Sequence, residues 1–400
     1  MTAALTVEPL ARPPDATITV PGSKSITNRA LICAALADGT CVLEGALWAD
    51  DTEAMVDCLK QLGLRVDVAG ERITVHGRGG AIPATEAHLD VRLSGTTARF
   101  ITPVAARGHG RFEIDASPPM RRRPMAPVFD ALRSVGVSVD ELGEPGCLPV
   151  VIHSEGVRGG RVAVSGDVSS QFVSGLLLAG FDVDVTTALV STPYVEMTRA
   201  VMRSFEQAGD GTYTIEPDAS AASYFFAAAA IWGGRVTVPG LNRSSLQGDL
   251  RFVDVLASMG ATVEADGHGV TVRGTGTLHG LEVDLRDLSD MVPTLAAVAV
   301  FADAPTTITG VAFIRGKESD RIGDLARELR RCGIAVNERD DGLTINPGQP
   351  RPARLRTYDD HRLAMAFALI GLRAPGIEIE DPECVAKTFP GYFDALDRLR

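Results

Sequence analysis

The stretch Asp51-Thr-Glu-Ala-Met-Val-Asp-Cys-Leu-Lys-Gln-Leu-Gly63 decides how this chain is to be read. Met55, Leu59 and Leu62 fall on one helical face, and Gly63 stands where a left-handed C-cap costs least. The same ending, a helix-like run closed by glycine before a β-branched strand, recurs at Val135-Gly136, Ala208-Gly209, Met259-Gly260 and Cys332-Gly333. Successive glycines are separated by 73, 73, 51 and 73 residues. A near-constant period longer than one supersecondary motif means that the fold is assembled from copies of one unit, so chemistry should lie at equivalent points in each copy.

Each copy reads as strand, helix, strand, helix ending in glycine, then a strand or hairpin. In the first copy these segments are 17–20, 26–36, 40–43 and 51–62, followed by an alternating strand at 72–75. The short interval of 51 residues lacks about one hairpin, which places an abbreviation of the third copy after Gly209. The last copy ends in a helix over 390–399 with no strand behind it, whereas the chain begins with strand-like segments at 5–9 and 17–20. The N-terminal segment is therefore expected to complete the last copy. The resulting expectation is an α/β fold of α+β repeats, with a discontinuous domain (1–20 plus 236–400) and a continuous one (21–235).

Composition narrows the function classes. Four hundred residues with 45% apolar content suffice for two domains with real cores. The N-terminus lacks a basic region followed by an apolar run, and apolar stretches such as 224–232 are far too short to cross a bilayer, so the expectation is a cytosolic, cytoplasmic protein and a monomer. Six scattered cysteines without a C-x-x-C pair argue against a disulfide framework or a zinc site. A net charge of −12 disfavours nucleic acid and anionic membrane as partners, but it leaves room for a local basic pocket.

That pocket is suggested by the junctions where the first strand of each copy meets its helix. They read Gly22-Ser-Lys-Ser-Ile-Thr-Asn-Arg29, Ser94-Gly-Thr-Thr-Ala-Arg99, Val168-Ser-Ser-Gln171, Asp218-Ala-Ser220, Leu288-Ser-Asp-Met291 and Asp359-Asp-His-Arg362. All open with N-cap chemistry, which leaves backbone N–H groups and the positive end of the macrodipole pointing outward. Capping alone does not require Lys24, Arg29, Gln171, His361 or Arg362 beside it. Second junctions add Arg121-Arg-Arg123-Pro124, Ser191-Thr-Pro-Tyr194, Lys317-Glu-Ser-Asp-Arg321 and Lys387-Thr-Phe. Of the three arginines only Arg123, before the proline, is assigned to the site; a run of this kind is by default a solvated turn. Several helix N-termini flanked by Lys and Arg, converging on one cleft, suit a compound with more than one phosphate or carboxylate. Neither a G-x-x-x-x-G-K-[ST] nor a G-x-G-x-x-G pattern is present in the required context. A metal centre at Asp359, Asp360 and His361 is disfavoured because Arg362 supplies charge there, so no metal and no cofactor is expected.

Five stretches carry a family resemblance: Pro21-Gly-Ser-Lys-Ser-Ile-Thr-Asn-Arg29, Val168-Ser-Ser-Gln-Phe172, Arg315-Gly-Lys-Glu-Ser-Asp-Arg321, Tyr358-Asp-Asp-His-Arg362 and Asp381-Pro-Glu-Cys-Val-Ala-Lys-Thr-Phe-Pro390. Together they closely resemble the 5-enolpyruvylshikimate-3-phosphate synthase (3-phosphoshikimate 1-carboxyvinyltransferase) family, across essentially the whole chain. The resemblance implies two domains of three βαβαββ units each, the inside-out α/β barrel of enolpyruvyl transferases, with the active site in the cleft between them. It implies transfer of the enolpyruvyl group of phosphoenolpyruvate to the 5-hydroxyl of shikimate 3-phosphate, through a tetrahedral intermediate and with release of phosphate, on the route to chorismate and aromatic amino acids. Residue by residue, it implies shikimate 3-phosphate contacts from Lys24, Ser25, Arg29, Ser169, Ser170, Gln171, Ser191, Tyr194, Asp290 and Lys317. It implies phosphoenolpyruvate contacts from Lys24, Gly95, Arg123, Gln171, Arg321, His361, Arg362 and Lys387. Asp290 is the expected base for the attacking hydroxyl and Glu318 the expected acid for the methylene carbon, with Lys24 as the rival acid.

Two departures stand out: Leu93 and Phe313 occupy positions where many family members carry asparagine, which removes any side-chain contact those asparagines make. The nearest rival activity is UDP-N-acetylglucosamine enolpyruvyl transfer on the same scaffold. That enzyme usually places a reactive cysteine in the loop that here reads Ala116-Ser-Pro-Pro-Met-Arg-Arg-Arg123. A non-catalytic phosphometabolite-binding protein would keep Arg29 and Ser169 but has no use for Asp290, or for Glu318 beside Lys317.

Overall fold

The computed structural model describes residues 4–208 and 211–400. Gly209, one of the five periodic glycines, lies outside the described residues. The other four close their helices identically. Gly63, Gly136, Gly260 and Gly333 have φ of +84°, +88°, +110° and +88°. Behind each, the next residue's N–H reaches back over the helix end: Leu64 to Leu59 O, Val137 to Leu132 O, Ala261 to Leu256 O and Ile334 to Leu329 O, at 3.0–3.1 Å. These are Schellman closures, which need φ > 0 at the glycine and satisfy carbonyls that the helix leaves open.

Contacts divide the chain into two compact units, Met1–Pro21 with Pro217–Arg400, and Gly22–Glu216. The second crossing thus falls at 216/217, not at the 235/236 expected from sequence. The reason is the helix Ala219–Trp232, buried everywhere except at Ser220 and Trp232, which belongs to the core of the discontinuous unit.

Within the continuous unit the sheet Glu86–Asp90, His109–Asp115, Val150–Glu155, Ser138–Glu141 shows the repeat complete. The first two strands are parallel around the helix Gly95–Ala105, and the last two form an antiparallel hairpin after the helix Ala126–Ser134. The burial of Glu86–Asp90 alternates strictly, with Ala87 and Leu89 inward, so the sheet has one wet face and the helices lie on its dry side. The first copy's sheet takes its leading strand from the far end of the unit: Gly211–Thr214 runs parallel to Asp38–Glu44. The strand expected there, at 17–20, is instead Asp15–Thr17, and it runs parallel to Arg235–Pro239 in the discontinuous unit. The third copy keeps, among the described residues, only the parallel pair Arg161–Val164 and Asp182–Val185.

In the discontinuous unit the same order recurs in Glu282–Asp284, Thr306–Thr309, Gly342–Asn346, Ala335–Arg339. Ala4–Val7 pairs antiparallel with Ile377–Glu380, which also takes Ala353–Leu355 on its other edge. Ala219–Trp232, Val292–Ala299 and His361–Gly371 are the central helices, mutually packed and buried on nearly every side. In the continuous unit, Lys24–Leu36, Gly95–Ala105 and Ser170–Leu178 have that role. They approach closely: a Cβ on Gly175 would come within 2.1 Å of Arg99 O on the neighbouring helix.

Two glycines therefore predict different penalties in urea unfolding. Gly136→Ala, with φ of +88° and nothing within 4 Å, should cost about 1 kcal/mol from backbone conformation alone. Gly175→Ala must push two helices apart and should cost about 3 kcal/mol.

Candidate functional site

Five of the six first junctions are capped by side chains. Ser23, Ser94, Ser169, Asp218 and Asp360 accept from N–H groups two or three residues on. The sixth differs from the sequence expectation: Ser289–Met291 forms a 3-10 turn with no side-chain cap before Val292–Ala299. Pro293, at the start of that helix, has no N–H to satisfy, and the Asp290 carboxylate goes elsewhere.

In the discontinuous unit everything centres on Arg321, whose side chain is 2% exposed. Its Nε donates to Asp360 Oδ2 at 2.7 Å, Nη1 to Asp290 Oδ1 at 3.0 Å, and Nη2 to Glu318 Oε2 at 2.8 Å and to Asp360 Oδ1 at 3.2 Å. Arg362 Nη2 donates to the second Asp290 oxygen at 2.7 Å, and Lys387 Nζ to the second Glu318 oxygen at 3.3 Å. Burial alone would raise the Asp290 pKa, but Arg362, Lys317 and Arg321 hold that carboxyl well below the usual carboxylate range. Burial opposes charge on Arg321 as well, and Asp360, Glu318 and Asp290 outweigh it, keeping the guanidinium firmly protonated. The structure thus joins Asp290, Glu318, Arg321, Arg362 and Lys387 in one network, with Lys317 acting on Asp290 through its charge. His361 is buried behind it, Nδ1 3.9 Å from Asp360 Oδ1.

Asp360 is the member that the sequence reading did not single out. Fully buried, it accepts from Arg321, from Ser319 Oγ at 3.0 Å and from the Arg362 N–H at 2.9 Å, capping its helix and anchoring the network at once. An aspartate at an N-cap reads as capping alone; the arginine 39 residues earlier that claims its other oxygen leaves no mark beside it.

In the continuous unit, Gly95 begins its helix, and Ser94 engages the N–H groups of Thr97 and Ala98. The N–H groups of Gly95 and Thr96 lie ahead of the helix's own hydrogen bonds. A Cβ on Gly95 would stand 2.8–2.9 Å from the Arg123 guanidinium, so the arginine is laid directly against the glycine. Arg123 is buried, whereas Arg121 is spent on Asp115 at the surface. Gln171 bridges Arg99 Nη1 (2.7 Å) and Thr96 Oγ1 (3.1 Å). Lys24 Nζ lies 3.0 Å from Asp51 Oδ2, and Thr97 Oγ1 donates to Asp51 O at 3.1 Å. Asp51, like Asp360, was missed from sequence as a partner of the site cations.

Arg29 is embedded among neutral acceptors. Nε donates to Thr198 Oγ1 (2.7 Å), Nη1 to Ser25 O (2.8 Å), and Nη2 to Tyr194 O (3.1 Å) and Ser174 Oγ (3.4 Å). Phe100 and Tyr194 lie 5.2 and 5.9 Å from its guanidinium carbon. Burial pushes its pKa down to about 10, with Tyr194 and Cys33 opposing. Ser170 opens its helix beside the cap Ser169, and Ser191, ahead of Tyr194, is held at φ +53°. Leu93 is half-buried; Phe313 packs on the core from the 3-10 turn Ala312–Gly316. Each unit thus presents cations and helix N-termini, the chemistry of a site for polyanions.

The fold is shared with the enolpyruvyl transferase NikO from Streptomyces tendae, at a TM-score of 0.74 and 21% identity over 100% of this chain and 98% of that one. The chain belongs to the EPSP synthase (3-phosphoshikimate 1-carboxyvinyltransferase) family, whose profile matches residues 11–396. The 3-phosphoshikimate 1-carboxyvinyltransferase of Nostoc punctiforme is 46% identical over 411 residues, 96% of each chain. The 2.37 Å structure of EPSP synthase from Acinetobacter baumannii superposes with a TM-score of 0.80 at 26% identity, covering 99% of this chain and 98% of that one.

Asp360→Asn keeps the cap but deprives buried Arg321 of a carboxylate, and should destabilise the protein by about 3 kcal/mol in urea unfolding at pH 7. The folded-state pKa of Asp290 lies below its ordinary 3.8, so its pairing contributes stability above that pH and loses it as pH falls toward the depressed value. Asp290→Asn should accordingly flatten the acid limb of a stability-versus-pH profile.

Proposed function

We propose that the chain transfers the enolpyruvyl group of phosphoenolpyruvate to the 5-hydroxyl of shikimate 3-phosphate, releasing phosphate in the route to chorismate. The observation that carries this reading is the carboxylate-shared cation set of Arg321, Arg362 and Lys387, in a chain 46% identical to a curated 3-phosphoshikimate 1-carboxyvinyltransferase.

In this reading the unit Gly22–Glu216 contributes Lys24, Ser25, Arg29, Ser169, Ser170, Gln171, Ser191 and Tyr194 toward shikimate 3-phosphate. Gly95 and Arg123, with Lys24 and Gln171, serve phosphoenolpyruvate. The other unit contributes Arg321, His361, Arg362 and Lys387 to phosphoenolpyruvate, and Asp290 and Lys317 to the acceptor. Asp290 takes the proton of the 5-hydroxyl as its oxygen bonds to C2 of phosphoenolpyruvate. Glu318, in its protonated form, delivers a proton to C3, with Lys24 as the rival donor. The tetrahedral intermediate then returns a C3 proton to that same group and expels phosphate, which leaves with the proton Asp290 had taken.

Both carboxylates are engaged by cations, and the substrate's phosphate and carboxylate compete for those same cations. Each guanidinium drawn onto the substrate releases an oxygen of Asp290 or Glu318, so the acid and base are freed by the binding that precedes their use. The protein is read as a cytosolic monomer; no helix among the described residues is long and apolar enough to cross a membrane.

The decisive assay mixes the protein, in chelator, with phosphoenolpyruvate and either shikimate 3-phosphate or UDP-N-acetylglucosamine. Phosphate release with the first acceptor alone is expected. Release with the second alone, or with neither, overturns the reading. Asp290→Asn and Glu318→Gln should each lower kcat by about 10²- to 10⁴-fold with little change in KM, as measured by steady-state kinetics. Gly95→Ala should instead raise the KM for phosphoenolpyruvate, by about tenfold, because its methyl displaces the Arg123 guanidinium.

A further inference from the structure

Tyr358 and Asp359, immediately ahead of Asp360, have φ of +55° and +58°. Two consecutive non-glycine residues in the left-handed region persist only where their surroundings hold them. The holder is Glu328, a fully buried carboxylate in the helix Gly323–Arg331 that has no part in the network around Arg321. Its Oε1 accepts from Tyr358 Oη at 2.7 Å and its Oε2 from the Arg356 N–H at 3.1 Å, and Oε2 also forms an ion pair with Arg331, whose Nε lies 3.1 Å away. Arg327 and Arg356 flank the Tyr358 ring at 5.8 and 5.2 Å, and Arg327 Nη1 donates to its hydroxyl at 3.2 Å. At the far end of the turn, Asp360 N donates to Thr357 O at 2.9 Å.

The turn has a precise output. Asp360 holds Arg321, and Arg362, two residues on, holds Asp290. Arg321 in turn stands two residues ahead of the helix that carries Glu328. One helix therefore fixes both sides of the Arg321–Asp360 pair.

We propose that Glu328 and Tyr358 are positioning residues: their hydrogen bond clamps the left-handed turn that holds Asp360 against Arg321 and delivers Arg362 to phosphoenolpyruvate. This rests on the functional reading above. Neither residue touches the reacting groups, so its loss should loosen one substrate's binding and leave the chemistry largely intact.

Tyr358→Phe removes the hydroxyl from a half-buried ring and should leave the protein folded. The expected result is a KM for phosphoenolpyruvate raised on the order of tenfold, with kcat within about threefold and the KM for shikimate 3-phosphate unchanged. Glu328→Gln should shift the same parameter in the same direction. Asp359→Gly accepts the left-handed conformation without a clamp, and added to Tyr358→Phe it should return the KM for phosphoenolpyruvate toward the parent value. The inference is overturned if both single variants keep the parental KM, if kcat and both KM values worsen together, or if Asp359→Gly gives no recovery. No turnover in the parent protein would overturn the functional reading itself, an outcome visible before any variant is made.

Discussion

One buried guanidinium shared by three carboxylates organises the discontinuous unit's site. Burying Arg321 without partners would be prohibitive, and giving it a single partner would still leave N–H groups desolvated. Asp360, Asp290 and Glu318 solve this from three different segments: a helix N-cap, a 3-10 turn and the loop before the next helix. The positions of Arg362 and Lys387 follow, because each pairs with an oxygen that Arg321 leaves over. Four cations, Lys317, Arg321, Arg362 and Lys387, meet three carboxylates there, and the positive excess suits an anion.

The continuous unit handles its buried charge differently. Arg29 donates to hydroxyls and carbonyls, and among the described residues no carboxylate accepts from it, so its charge is solvated by the protein and not neutralised. Such a cation keeps its long-range attraction for an anion, whereas a fully paired one must exchange a partner first. The two buried guanidiniums therefore differ in kind: Arg29 is poised by neutral solvation, Arg321 by displaceable ion pairs.

The repeat was legible because its glycines are needed for a conformation that other residues adopt only at a cost, and Gly63, Gly136, Gly260 and Gly333 mark their helix ends in any sequence reading. The leading strands were not. Asp15–Thr17 and Gly211–Thr214 are short, and what distinguishes them is which sheet they join, a long-range property that local alternation does not record. Among site side chains, Lys24, Arg321 and Arg362 stand out as cations beside caps. Asp51 and Asp360 look like ordinary helix-start acids until their partners, 27 and 39 residues away, are seen.

The strand pairings also set an order of events during synthesis. The continuous unit closes its first sheet with its own last strand, so every piece it needs has been made once residue 214 has left the ribosome. Ala4–Val7, by contrast, emerges well before its partner and must wait for Ile377–Glu380, a loop closure spanning nearly the whole chain. Until then its unpaired edge is the nascent chain's most persistent exposed strand. The first strand of the described residues is among the last to find its place, and it is where a holding chaperone has the most time to act.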